Sequence, residues 1–195
     1  MTTAVNTIRP ATKADAPVLA ELVNQAGEGL PLYLWAGMAE PGQTPWDVGR
    51  MRAAREEGSF SYCNATIIEH DGKPAGCLIG YETADAPEPV GDDTPAMFVP
   101  LQELENLAPD TWYVNVLAVL PECRGLGLGS ELLKLAEETG RKLGKSGMSL
   151  IVSDANMRAR KLYERCGYRE IASRPMVKEG WKNDGENWVL MTKPL

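Results

Sequence analysis

Val119-Leu120-Pro121-Glu122-Cys123-Arg124-Gly125-Leu126-Gly127-Leu128-Gly129-Ser130 leads from a strongly β-prone run, Trp112–Leu120, into a helical pattern over Gly127–Leu143. Alternate glycines at a strand-to-helix junction let the backbone approach a ligand closely, and the first N–H groups of the helix converge there at the favourable end of its dipole. Arg124 adds a permanent forked cation beside them. The stretch therefore reads as an anion cradle. Two phosphate motifs fail on the same residues. After Gly125 and Gly127 the third position of G-x-G-x-x-G is Ser130, and no acid stands at a strand end some twenty residues on; no Gly-Lys-Ser/Thr follows either. This argues against a nicotinamide cofactor and a nucleoside triphosphate.

Working outward, Trp112–Leu120, Gly127–Leu143, Gly147–Ser153 and Asn156–Cys166 alternate as strand, helix, strand, helix, which implies a parallel pair with a right-handed crossover. Tyr168–Arg174 and Asn187–Thr192 then close the sheet as an antiparallel pair. Upstream, Thr7–Pro10 reads as a short strand, and Thr12 with Asp15 as a capping box. Val18, Leu19, Leu22, Val23 and Ala26 form the apolar stripe of the helix that follows, ended by Gly27 and Gly29. Gly29–Trp46 reads as a loop or short helical turns with exposed aromatics, a candidate substrate lip or simply aromatics packed on the sheet edge. Trp46–Glu57 reads as a helix, and Ser61–His70 and Pro74–Glu82 as a hairpin turned at Asp71-Gly72. Residues 83–110, with five prolines and a cluster of acids, read as an irregular insertion holding one helical turn at Leu101–Asn106. The expectation is one domain spanning residues 1–195.

Composition narrows the function. The 195 residues carry a net charge of −7, but residues 1–110 hold 6 basic and 17 acidic side chains, and residues 111–195 hold 14 and 10. The C-terminal part is the better home for an anion. The acidic N-terminal part suits a cationic substrate, or is ordinary solvated surface, and argues against nucleic acid. Apolar runs of about eight residues fall short of the ~20 needed to span a membrane. Met1–Arg9 lacks the features of a signal peptide, so a cytoplasmic setting is expected. Cys63, Cys77, Cys123 and Cys166 form no C-x-x-C pair and His70 is the single histidine, so no metal site is expected.

Arg124, Gly127 and Gly129 match R-x-x-G-x-G. Asn156-Met157-Arg158-Ala159-Arg160-Lys161-Leu162-Tyr163-Glu164-Arg165-Cys166-Gly167-Tyr168 matches N-x-x-A-x-x-L-Y-x-x-x-G-[FY], and Ile8-Arg9-Pro10-Ala11 with Asp15-Ala16 matches an opening strand and helix. In these three segments, in register, the chain resembles the GNAT superfamily of N-acetyltransferases. The resemblance implies a mixed α/β acyl-CoA N-acyltransferase fold: a central, mostly antiparallel sheet flanked by helices and splayed where the strands at 112–120 and 147–153 part. It implies acetyl-CoA as cofactor, held by Leu117, Ala118, Val119, Arg124, Gly125, Leu126, Gly127, Leu128, Gly129, Ser130, Asn156 and Tyr163. It implies acetyl transfer to a primary amine, of a small molecule or a peptide, by direct attack, since Cys123 has no histidine partner in the motif. A homodimer is compatible with it.

Each assignment has a structural counterpart. Asn156 sits where a helix N-cap is expected, and Tyr163 on the helix face shared with Ala159 and Leu162. By resemblance Tyr163 is the general acid, with an ordinary phenol pKa near ~10. The superfamily often places a carboxylate base on the strand before the loop, but Tyr113-Val114-Asn115-Val116-Leu117 holds no acid. Asn115 can orient a water and cannot take a proton at neutral pH. The base is then a water chain or an acid of the N-terminal half such as Glu28. The absent acid also leaves room for a second reading, an acyl-CoA-binding sensor or structural module without chemistry.

Overall fold

The computed structural model describes residues 5–195. Its seven strands are β1 (Asn6–Pro10), β2 (Ala65–His70), β3 (Lys73–Glu82), β4 (Thr111–Val119), β5 (Gly147–Ser153), β6 (Arg169–Pro175) and β7 (Asn187–Pro194), and they follow the order β1-β2-β3-β4-β5-β7-β6 in one sheet. β4 and β5 run parallel; β1 with β2, β2 with β3, β5 with β7 and β6 with β7 run antiparallel. The chain forms two compact units, one reaching to Ile79 and including Val116–Leu132, the other comprising Gly80–Asn115 and Leu133–Leu195.

In the first unit the β2–β3 hairpin turns at Asp71 (φ 50°) and Gly72 (φ 75°), the two left-handed positions a type I′ turn requires. β1 lies antiparallel to β2 from Asn6↔His70 to Pro10↔Thr66. Helix α1 (Ala16–Ala26) is entered through a tight turn at Lys13–Asp15. There Thr12 N donates to Asp15 Oδ2 at 2.7 Å, the same carboxylate accepts from Arg9 at 2.8 Å, and Arg9 Nε reaches Glu69 at 2.7 Å. The predicted stripe is the buried face. Leu19, Leu22 and Ala20 have no exposed surface and pack with Ile67, Cys77, Ile79, Val116 and Ala118. At ~1.5–3 kcal/mol for each large side chain removed from water, this face fixes the helix on the sheet. Cys77 is fully buried in this core, whereas Cys63 is exposed.

The segment expected as a loop or short helical turns at Gly29–Trp46 contains the short helix α2 (Leu30–Met38), followed by α3 (Pro45–Ala53). Trp35 is buried, stacked on Phe60 (5.9 Å, 15°) and edge-on to Trp46 (6.1 Å, 63°). Gly49 on α3 makes the slot, since a Cβ there would fall within the Trp35 ring. Of the aromatics expected outside, Tyr33 is exposed. α3 stops at Ala53, short of the expected Glu57, and Ser61–Asn64 is a tight turn capped by Ser61 Oγ, not strand.

The second unit holds helix α4 (Val99–Glu105), α6 (Met157–Arg165) and most of α5 (Leu128–Lys142). Residues 83–110, expected as an irregular insertion, hold more regular structure than their prolines suggest. α4 packs on β5, β6 and β7, and Arg174 Nε on β6 reaches Glu103 at 2.9 Å. Lys145 Nζ gathers Glu82 (3.1 Å), Asp85 (3.5 Å) and Asp110 (3.6 Å) at the base of the insertion. Buried hydroxyls tie its start to the sheet: Thr111 N donates to Thr83 Oγ1 at 2.8 Å, and Thr111 Oγ1 and Ser149 Oγ are hydrogen-bonded to each other at 2.6 Å.

Candidate active site

The glycine loop belongs to the first unit. β4 ends at Val119, the chain turns at Pro121–Cys123, Arg124 is extended, and Gly125 and Gly127 take φ of 82° and 81° before α5 begins at Leu128. Left-handed residues on either side of Leu126 are the alternation from which backbone anion nests are built. Among the described residues none of the N–H groups of Gly125, Leu126, Gly127, Leu128 or Gly129 donates to a protein acceptor; the next two, of Ser130 and Glu131, turn back to the Gly127 carbonyl at 3.0 and 3.1 Å. A Cβ on Gly125 or Gly127 would meet no atom within 4 Å. These two glycines are therefore required by backbone conformation, with open space before them. Arg124, Leu126 and Ser130 are exposed, Leu128 is the buried anchor of the new helix, and the Arg124 guanidinium has no ion-pair partner among the described residues. The loop fits an anionic group of pyrophosphate type.

The C-terminal half of the strand that delivers the loop is held on one edge only. Gly76 lets β3 close on β4, since a Cβ there would stand 2.6 Å from the Ala118 carbonyl oxygen, and Leu120 N donates to Ala75 O at 2.8 Å. Gln25 Nε2 fixes the Val119 carbonyl at 2.8 Å. On the other edge the parallel pairing runs from Thr111↔Gly147 to Val114↔Leu150 and stops, although β4 continues through Leu117, Ala118 and Val119. This is the expected splay. Asn115, the first residue past the last rung, is exposed and its side chain bonds to no described residue.

Asn156 and Tyr163 belong to the second unit. Asn156 Oδ1 accepts from Ala159 N at 3.2 Å, so it caps α6 as its position suggests. Tyr163 is buried on α6, its ring 6.0 Å from that of Tyr168 and its hydroxyl without a described hydrogen-bond partner. Burial pushes its phenol well above the ordinary value expected for it from sequence. Glu28, half-buried, stands in the left-handed region (φ 51°) after α1, in the first unit.

Three residues not singled out from sequence stand close to one another in the second unit. The Tyr81 and Tyr113 rings lie 5.2 Å apart, and Tyr81 Oη donates to Glu105 at 2.9 Å. Burial raises the Tyr113 phenol well above its ordinary value, and Tyr81, Glu105 and Tyr163 add to that rise. One signal was available: Tyr113 precedes Asn115 by two on a strand. Glu105 lay hidden in an insertion whose prolines argue for irregular chain.

A splayed, mostly antiparallel sheet with an anion nest at the end of its central strand is the architecture of the acyl-CoA-dependent acyltransferases. The family model described as acetyltransferase (GNAT) family matches residues 32–168, and the chain belongs to that family. It is 40% identical over 82 residues to an uncharacterized N-acetyltransferase, MJ1530, of Methanocaldococcus jannaschii, an alignment covering 42% of this chain and 50% of that one. It is 30% identical over 132 residues to the thialysine N-epsilon-acetyltransferase of Bos taurus, covering 64% and 63%. The chain thus spans between half and just under two thirds of the length of these relatives. A crystal structure described as that of an acetyltransferase shares the fold with a TM-score of 0.65 at 24% identity, over 96% of this chain and 98% of that one. No helix among the described residues is long and apolar enough to cross a membrane.

Proposed function

We propose that the protein transfers the acetyl group of acetyl-CoA to a primary amine by direct attack within a ternary complex. The observation that carries the reading is the loop whose five N–H groups, and whose neighbouring arginine, have no partner among the described residues, inside a chain of the GNAT family. In this reading Gly125, Leu126, Gly127, Leu128 and Gly129 bind the pyrophosphate through their backbones, with Arg124 and the Ser130 hydroxyl beside them. Leu117, Ala118 and Val119, whose strand has left its parallel neighbour, offer backbone N–H groups to the thioester oxygen and favour the charge that develops there. Asn156 serves the cofactor through the amide group its cap leaves over, and Asn115 orients a water.

Acetyl-CoA supplies an activated carbonyl and a sulfur leaving group. The amine nitrogen forms the new C–N bond, the C–S bond breaks, and one N–H proton ends on sulfur. Tyr163 acts at that sulfur as a hydrogen-bond donor. A thiol has a pKa near ~8.5, so complete transfer from a phenol above ~10 runs uphill by more than ~2 kcal/mol, whereas a donated hydrogen bond steadies the thiolate at no such cost. The sequence-based role of general acid is refined in this sense.

Thermal shift and calorimetry with acetyl-CoA, desulfo-CoA and NADH test the cradle without the acceptor. Stabilisation by the two CoA compounds and not by NADH supports the reading, since a ligand bound only by the native state raises the melting temperature; no response to CoA refutes it. Release of CoA in the presence of amines separates catalysis from the sensor reading, which expects binding without turnover.

A further inference from the structure

Asn115 leaves β4 without a carboxylate, and the insertion brings one to the same unit. Glu105 closes α4, half-buried, and its carboxylate accepts one hydrogen bond, from Tyr81 Oη at 2.9 Å. It pairs with no cation among the described residues. Of the cations on the elements around α4, Arg174 on β6 is engaged with Glu103 (2.9 Å), Lys193 on β7 with Glu137 (2.7 Å), and Lys145 ahead of β5 with Glu82, Asp85 and Asp110, while Arg169, at the start of β6, is exposed and forms no ion pair with Glu105 or any other described residue. The titratable groups that face Glu105 are Tyr81 on β3, Tyr113 on β4 and Glu88 within the insertion, the last a like charge. Tyr81 stacks at a tilt of 38° on Tyr113, Tyr113 feels Tyr163, and Asn115 shares the face of Tyr113 on β4. A half-buried carboxylate held by one phenol hydroxyl, with a second phenol ring packed on the first and no cation paired to it among the described residues, is a receptor for an ammonium group through Coulomb attraction.

We infer that Glu105 is the residue that docks the acceptor amine and takes its proton, with Tyr81 holding the carboxylate in place and Tyr113 forming the apolar wall. The inference rests on the acetyl-transfer reading. A protonated amine R-NH3⁺ enters and passes one proton to the Glu105 carboxylate, giving R-NH2 and a neutral carboxyl. The freed lone pair attacks the thioester carbon, a second N–H proton accompanies sulfur, and Glu105 returns its proton to water. Burial raises Glu105 above the usual carboxylate range while the Tyr81 bond works against that rise, so the group is more basic than a surface glutamate. The insertion, on this view, sets which amines are accepted, because it carries the residue that meets them.

The test uses the full chain with Glu105→Gln and Tyr81→Phe. Gln keeps an oxygen to accept from Tyr81, so packing is retained. Acetyl-CoA affinity is read by calorimetry, amine binding by titrating spermidine, lysine and an alanyl dipeptide into the CoA-saturated protein, and turnover with the same probes by CoA release. Expected for Glu105→Gln are unchanged acetyl-CoA affinity, amine binding weakened at least tenfold, kcat/KM for the amine lowered by about a hundredfold or more, and loss of the acid limb of its pH profile. Tyr81→Phe removes a bond that favours the charged carboxylate, so the acid limb moves to higher pH with the plateau retained; a merely structural role moves no limb. Amine binding, kcat/KM and an acid limb that survive Glu105→Gln overturn the inference while the acetyl-transfer reading stands. Failure of the unaltered protein to bind acetyl-CoA overturns both.

Discussion

Gly127→Ala separates the conformational demand of the loop from its service to a ligand. At φ 81° an alanine Cβ crowds its own backbone, at about 1–2 kcal/mol, and it meets no neighbour because the space within 4 Å is open. Gly72, at φ 75° in the β2–β3 turn and also with open space around it, is the matched control. Both variants should lose the same ~1–2 kcal/mol, which for a chain of this length lowers Tm by roughly 2–8 °C. Only Gly127→Ala should also weaken acetyl-CoA, since the new methyl stands in the open mouth of the nest and holds the anion off its N–H groups. One charge-assisted hydrogen bond lost is worth ~1.5–3 kcal/mol, so Kd should rise about 10- to 150-fold. Gly127→Val, bulkier and branched, should abolish binding. Calorimetric titration of each variant at a temperature where it is folded measures this. Equal acetyl-CoA affinity in Gly127→Ala and Gly72→Ala would refute the nest as the pyrophosphate site.

Arg124→Ala should weaken acetyl-CoA about tenfold at low salt and progressively less as added salt screens the exposed guanidinium, a trend that titrations at several ionic strengths would follow. Tyr163→Phe keeps the buried ring and removes the hydroxyl, so kcat should fall far more than acetyl-CoA affinity while Tm stays within a few degrees; equal turnover would remove Tyr163 from the chemistry. The Arg9 hydrogen bonds, aided by Thr12 and opposed by burial, hold the Asp15 carboxyl down at about 2. A depressed native pKa means stability that is present above the unfolded value near ~3.9 and lost as pH falls from about 4 towards 2. Denaturant melts of Asp15→Asn should therefore lie below the unaltered protein at pH 7 and converge with it at pH 2.

How much could be read in advance depended on whether the signal was local. The capping box at Thr12 and Asp15, the stripe of α1 and the Asp71-Gly72 turn each follow from residues that touch one another along the chain, and all stand where periodicity and turn chemistry put them. α2 was legible only as short helical turns or loop, for the opposite reason. Gly29, Pro31 and Gly37 speak against a helix locally; it forms because Gly29 (φ 86°) admits a sharp entry, Pro31 is tolerated in the first turn, and Trp35 finds a slot in α3 that only the fold creates. In the site, the loop glycines and the splay of β4 were readable as motif and resemblance. The Tyr81–Glu105 contact was not, because it joins residues 24 apart through a proline-rich insertion that no periodicity orders. The Tyr163 phenol was misjudged for the same cause: spacing marks a helix face, and only packing tells how dry that face is.

The seclusion of Cys77 gives this protein an internal clock for its own opening. Burial pushes its thiol up to about 12, while Cys63 stands exposed on a turn four residues from the hairpin core. A thiol reagent applied to the native protein should consume Cys63 at once and wait on Cys77 until β3 lets go of its neighbours. The ratio of the two labelling rates then counts how often the central hairpin parts, and repeating the count with acetyl-CoA present would show whether a ligand on the loop steadies the strand beside it.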